Sequence, residues 1–160
     1  MTDTVPHIEI IDAHEGPALA EAARLFRNYA DSLEFNLDFQ DFDHEVADLP
    51  GEYAPPGGRM LLAREGEAVA GCVALRSLGR GICEMKRLFV AEGFRGRGVG
   101  RRLTIAIIDA ARVAGYRRMR LDTTARMTEA NRLYRELGFR PIPAYRHNPL
   151  PDARFWELVL

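Results

Sequence analysis

Apolar and polar positions alternate from His7 to Ala13, which predicts a strand. Gly16-Pro17 then opens a helix, since proline suits a first turn, and Leu19, Ala22, Phe26, Tyr29 and Leu33 recur at helical spacing. Asp38 to Leu49 predicts a second, short helix with Phe39, Phe42 and Val46 inward, followed by a loop punctuated by Pro50-Gly51 and Pro55-Pro56-Gly57-Gly58. Strands are expected at Met60–Arg64, Ala68–Arg76 and Ile82–Val90, separated by turns at hairpin spacing. Gly98 to Ala114 reads as a helix with Val99, Leu103, Ala106, Ile107, Ala110 and Ala114 on one face. A strand at Arg118–Thr123 follows, then a helix at Thr128–Leu137 with Ala130, Leu133, Tyr134 and Leu137 on one face. A last strand is expected at Arg154–Leu160, with a further one near Pro141–Tyr145. The order predicts a mixed α+β fold, a sheet with helices packed on it, in one domain over residues 1–160.

Composition changes this picture little. With 160 residues, 47% apolar and 28% charged, the chain has the profile of a soluble globular domain. No apolar run is long enough to span a bilayer, and the N-terminus lacks the basic and apolar regions of a signal peptide, so a cytoplasmic protein without membrane partners is expected. Cys72 and Cys83 fall on neighbouring strands, where they read as small core residues rather than a disulfide framework. The scattered histidines offer no metal-ligand spacing, so no metal is expected.

Charge adds more. A net charge of -1 gives no electrostatic case for nucleic acid. Its distribution, however, is uneven. From Asn28 to Gly58 there is neither Arg nor Lys, while Arg87 to Arg120 is rich in arginine, and Lys86 is the single lysine. Either the two stretches are solvated faces of opposite sign, or they form a cleft with an anion-attracting and a cation-attracting end.

The candidate chemistry lies between the strand ending at Val90 and the helix starting near Gly98. A helix N-terminus presents unpaired N–H groups and the positive end of its dipole, and so binds phosphate. Glycine lets the backbone approach closely and adopt positive φ. Arg95, Arg97, Arg101 and Arg102 add charge at the same place. A P-loop would need Lys-Ser/Thr where Arg101 and Arg102 stand. A Rossmann fingerprint would need a third glycine where Leu103 stands. What remains is Arg-x-x-Gly-x-Gly, filled by Arg95, Gly98 and Gly100.

This segment, CEMKRLFVAEGFRGRGVGRRL, together with Leu133-Tyr134-Arg135-Glu136-Leu137-Gly138-Phe139, resembles the GNAT superfamily of N-acetyltransferases from about Met60 to Ile142. The resemblance implies a single domain with a central, mostly antiparallel twisted sheet of six or seven strands and about four helices. It implies acetyl-CoA as acyl donor and a small, cationic or amino-acid-like amine as acceptor, in a protein acting as monomer or homodimer. It also implies that the strand before the glycine loop leaves its neighbour. Leu88 and Val90 would then pair with the pantetheine, and the Val90 N–H would polarise the thioester carbonyl. Gly96, Gly98, Gly100 and Arg101 would meet the pyrophosphate, along with the rest of the stretch that includes Arg95, Arg97 and Val99. Tyr134 would act as general acid.

Glu84 stands where histone-type members have a glutamate. Alternation places Glu84, Lys86, Leu88 and Val90 on one face, where a carboxyl of raised pKa would serve as base; a plain strand glutamate paired with Lys86 is the other reading. Where many members carry an asparagine this chain has Met127, and Asn131 is expected to contact the coenzyme instead. Phe35, Phe39, Phe42 and Tyr53 would line the acceptor pocket, closed by Tyr145 and His147. A non-catalytic acyl-CoA-binding module and a protein or peptide acetyltransferase are the competing functions.

Overall fold

The computed structural model describes residues 7–33 and 41–160. Its strands are β1 (Ile8–Asp12), β2 (Arg59–Glu65), β3 (Ala68–Gly79), β4 (Ile82–Val90), β5 (Arg118–Thr124), β6 (Arg140–Pro141) and β7 (Ala153–Val159). Its helices are α1 (Gly16–Ser32), α2 (Phe42–Ala47), α3 (Val99–Val113) and α4 (Thr128–Glu136). The expected element order is therefore present. Phe35 and Phe39 lie outside the described residues. Among the described residues, no helix is long and apolar enough to cross a membrane.

The strands form one sheet in the order β1-β2-β3-β4-β5-β7-β6. All neighbours are antiparallel except β4 and β5. Each face carries a core. Leu61, Val73, Leu75, Met85, Met119 and Leu121 point toward α3 and α4, where they meet Leu103, Ile107 and Tyr134. Met60, Leu62, Cys72 and Ala74 point the other way, toward Leu25 and Phe26 of α1 and Phe42 and Val46 of α2. The two buried thiols, Cys72 and Cys83, thus belong to opposite faces of the sheet.

Helix α3 is rolled relative to its expected seam. The buried positions are Val99, Leu103, Thr104, Ile107, Ile108 and Ala111, whereas Ala114 is exposed. Seating Ile108 rather than Ala106 and Ala110 removes more apolar surface from water, at roughly 25 cal/mol per Å².

Two features of β4 position everything that follows. First, β4 pairs with β5 only at Ile82↔Arg118, Cys83↔Met119 and Glu84↔Arg120, although both strands continue. Beyond Glu84 they part, and the sheet opens as a V. Second, β4 carries a bulge. Cys72 pairs with Phe89 but Ala74 with Lys86, so two steps on β3 face three on β4, and Arg87 has φ +61°. The bulge inverts the alternation beyond it. Leu88 and Val90 consequently pack on the α3/α4 core, while Phe89 packs on the opposite one. Glu84, Lys86, Leu88 and Val90 do not share a face, contrary to the period-2 expectation, because one residue is added to the count.

Candidate active site

The opening between β4 and β5 is a small cavity of about 70 Å³. Met85, Lys86, Arg87 and Leu88 of β4 face Leu121, Asp122 and Thr123 of β5 across it. Tyr29 of α1 closes it from one side of the sheet, and Met127, Ala130 and Tyr134 close it from the other. The cavity therefore runs between the two layers of helices, as a parted pair of parallel strands requires.

The glycine loop lies at the C-terminal end of β4. A 3-10 turn at Glu92–Phe94 leads into Gly96 (φ +78°) and Gly98 (φ +76°), and α3 begins at Val99 with no side-chain cap at its N-terminus. Two left-handed residues in three turn successive N–H groups toward one concavity, and the first N–H groups of α3 have no intrahelical acceptor. A Cβ on Gly96 or Gly98 would meet no heavy atom within 4 Å, so the space above the loop is open. At Gly100 a Cβ would stand 3.5 Å from Val90 Cγ2, so the helix start abuts the end of β4.

The side chains around this loop are engaged within the protein. Val99 is buried in the core, which anchors the helix and leaves only its backbone for a ligand. Arg95 donates from Nε to the Val90 carbonyl at 3.3 Å, and its guanidinium lies 6.0 Å from the Phe89 ring centroid. Arg97 pairs with Glu65 and lies over Phe94 at 5.2 Å. Arg101 pairs with Glu136 at 3.1 Å.

Tyr134 lies in the cavity, buried, with its ring 5.6 Å from that of Phe139. Burial, followed by the proximity of Tyr29 and Asp122, pushes its phenol pKa up, so it keeps its proton. Tyr29, at the other wall, is likewise pushed up to about 12, chiefly by burial. Lys86 reaches in with a side chain only 4% exposed, its Nζ 4.0 Å from Glu84 Oε1 and 3.9 Å from Asp122 Oδ1. Burial drives its pKa down to about 8, with Glu84 and Asp122 opposing the fall and Arg87 and Arg146 adding to it.

Glu84 is fully buried, but not in an apolar pocket. Arg76 Nε donates to Oε1 at 2.8 Å, the Tyr145 hydroxyl donates to Oε2 at 2.5 Å, and Arg146 reaches both oxygens at 3.2 and 3.3 Å. Burial disfavours the charge, yet Lys86, Tyr145, Arg76 and Arg146 together hold the carboxyl below its ordinary value. The expectation of a raised pKa is thus corrected. Glu84 is the anion around which the site is built, and it holds a proton poorly.

Other expectations also change. Asn131 donates from Nδ2 to the carbonyls of Thr124 and Met127, both at 2.8 Å, and accepts from Trp156 Nε1 at 2.9 Å. Both amide protons are used in tying the end of β5 to the start of α4, so Asn131 serves as a staple between them. Phe42 is turned into the α1/α2 core beneath the Arg87 guanidinium, 5.1 Å from its ring centroid. Tyr53 is buried against Phe26, and its hydroxyl donates to Glu45 Oε1 at 2.7 Å. Neither aromatic lines the opening between β4 and β5, but Tyr53 lines a second, acidic concavity. Tyr145 does approach the site, through Glu84, with its ring against Phe155 at 5.4 Å, whereas His147 is exposed.

The acidic stretch is only partly the mouth its charge suggested. A larger concavity of about 610 Å³ is lined by Asp41, His44, Glu45, Asp48, Glu52 and Arg76, among others. Yet Glu45 is taken by the buried Arg87 in two hydrogen bonds of 2.8 and 3.1 Å, and Glu52 by Arg76 at 2.7 Å. Arg76 thereby links this concavity to Glu84.

Sequence reasoning missed Tyr29, Asp122 and the arginines 76, 87 and 146, and read Lys86 only as a partner of Glu84. One signal was present, the lone lysine on the strand that enters the motif.

The Acetyltransferase (GNAT) family matches residues 20–139. An uncharacterised N-acetyltransferase of Schizosaccharomyces pombe is 40% identical over 138 residues, 85% of each chain. The human N-acetylaspartate synthetase is 35% identical over 109 residues, 67% of this chain and 36% of the human protein. Among solved structures, a Salmonella typhimurium acetyltransferase with its cofactor acetyl-CoA superposes with a TM-score of 0.74 at 22% identity, over 95% of this chain and 93% of that one.

Proposed function

The chain belongs to the GNAT acetyltransferase family, and on that basis we propose that it carries an acetyl group from acetyl-CoA to the amine of a small, amino-acid-like acceptor by direct attack in a ternary complex. The observation that carries this reading is the parting of β4 and β5 beyond Glu84↔Arg120, directly next to the glycine loop. A parted strand leaves an unpaired backbone edge that an extended, amide-bearing pantetheine can pair with, as an added strand does.

On this reading the residues take the following roles. The backbone at Gly96, Gly98, Gly100 and Arg101 takes the pyrophosphate, and the edge at Leu88 and Val90 takes the pantetheine and polarises the thioester carbonyl. Tyr134, held protonated, gives its proton to the leaving thiolate. Glu84 orders Arg76, Arg146 and Tyr145 at the acceptor side. The amino-acid-like class is favoured by these arginines, which suit a carboxylate, and by the human relative, whose name is that of an N-acetylated amino acid.

The test follows free thiol during incubation with acetyl-CoA and a panel of amino acids, their amides and simple amines. Saturable, amine-dependent thiol release that favours carboxylate-bearing amines is expected. Donor binding with no release across the whole panel would leave only a binding module.

A further inference from the structure

Two buried carboxylates stand where β4 and β5 part, and they are engaged to different degrees. Glu84 is saturated. Its oxygens accept from Arg76, Tyr145 and Arg146, and the cations Arg76, Lys86 and Arg146 approach them to 2.8, 4.0 and 3.2 Å. Asp122, with a side chain 4% exposed, is engaged on one oxygen. Its Oδ2 accepts from Asn148 Nδ2 at 3.1 Å. Among the described residues Oδ1 accepts no hydrogen bond, and the cation nearest to it, Lys86 Nζ, stands at 3.9 Å. A buried carboxylate oxygen is a strong acceptor for a charged donor. Of the two carboxylates, Asp122 is the one able to take a donor brought by a ligand.

The strand turns it to the right side for that. Met119 and Leu121 pack on the α3/α4 core, so alternation along β5 turns Asp122 and Thr124 to the α1 side of the sheet. Leu88 and Tyr134, proposed above as donor contacts, belong to the α3/α4 side of the same cavity. Asp122 therefore stands across the opening from Tyr134, in the wall that the acceptor would approach. One pleat further along the same strip the Thr124 hydroxyl is 2% exposed and has no hydrogen-bond partner. Buried polar atoms are rarely left so in folded proteins, and here two of them share one strip of β5.

We propose that Asp122 Oδ1 receives the ammonium group of the acceptor and holds its nitrogen at the mouth of the opening. This rests on the transfer reading above and adds the atom that selects the amine. Arg76 and Arg146, on Glu84, suit the other end of such a molecule, a carboxylate. A zwitterionic amino acid satisfies both ends, whereas a simple amine satisfies one.

The full chain is given acetyl-CoA and thiol release is followed with two acceptors. One is the amine of highest turnover in the panel. The other is its aminooxy counterpart, used as substrate or as competing ligand, in which –O–NH2 replaces –CH2–NH3+ and the nitrogen is uncharged at neutral pH. Calorimetry reports donor binding for every variant. Asp122→Asn should lower kcat/KM for the amine on the order of 100-fold, mostly through KM, and weaken the aminooxy compound less than about threefold, with donor affinity kept. Asn148→Ala removes the hydrogen bond on Oδ2 without removing the charge, and should raise the amine KM about threefold while leaving the aminooxy compound unchanged. If Asp122→Asn fails to bind donor, the selectivity of Asn148→Ala decides. Equal losses for the two acceptors, or no loss for the amine, overturn the inference and leave acetyl transfer standing. Wild type that releases no thiol with any amine overturns both readings.

Discussion

The proposed donor side and the proposed acceptor side of the site are built on opposite principles. At the donor side the ligand-facing groups are backbone. Gly96 and Gly98 supply the left-handed turns, Val99 anchors the helix from behind, and the arginines are occupied with Glu65, Glu136 and the Val90 carbonyl. At the acceptor side the backbone is covered, and side chains from distant parts of the chain converge on one buried carboxylate. Tyr145 and Arg146 reach Glu84 across 61 and 62 residues, and Arg87 reaches Glu45 across 42. A site made of backbone tolerates loss of its charged side chains but not a change of φ. A site made of buried charges tolerates neither a lost charge nor a lost partner.

The comparison is broken most forcefully at Glu84. Glu84→Gln leaves Arg76, Arg146 and Lys86 without their shared anion, and should lower unfolding free energy by about 3 kcal/mol at neutral pH. Because the folded carboxyl pKa lies below the unfolded one, this contribution is fully present above the unfolded value. It is lost as pH falls through the folded value. Urea titrations should therefore show wild type and variant converging at acid pH; a gap that persists there would mean the loss is one of packing.

Tyr134→Phe comes next. Turnover should fall on the order of 100-fold while donor affinity, by calorimetry, stays nearly unchanged. A large loss of affinity would make Tyr134 a binding or packing residue. At the donor side, Gly98→Val forces a β-branched residue to φ +76° and should weaken acetyl-CoA binding roughly tenfold or more, with little change in the acceptor KM. The smallest effect sharpens the contrast. Arg101→Ala removes an exposed pair with Glu136 and should alter stability by less than about 0.5 kcal/mol and donor affinity by less than about threefold.

The same contrast explains what could be read from the sequence. The glycine loop, β4 and α3 are local, and periodicity with turn chemistry placed them within a residue or two. The parting of β4 from β5 was anticipated through the family resemblance. The bulge at Arg87 was not, because an arginine carries no sign that it will adopt positive φ, and one added residue reversed the faces of Leu88 and Val90. Asn131 is expected at the coenzyme because Met127 stands where many family members carry an asparagine; its hydrogen bond to Trp156, 25 residues away, leaves no local signal. Phe42 read as a pocket aromatic because sequence cannot tell an aromatic beside a cavity from one beneath it, whereas Tyr53 does line the acidic concavity. The ring of partners on Glu84 is assembled by the fold alone, and with it the carboxyl pKa moved opposite to the direction that burial by itself would give.

Amide hydrogen exchange with and without acetyl-CoA tests the backbone donor site most directly. Protection should concentrate at Leu88–Val90 and Gly96–Arg101, and should collapse in Gly98→Val but survive in Arg101→Ala. Protection confined to the acidic concavity around Glu45 and Glu52, with β4 and the glycine loop unchanged, would contradict it.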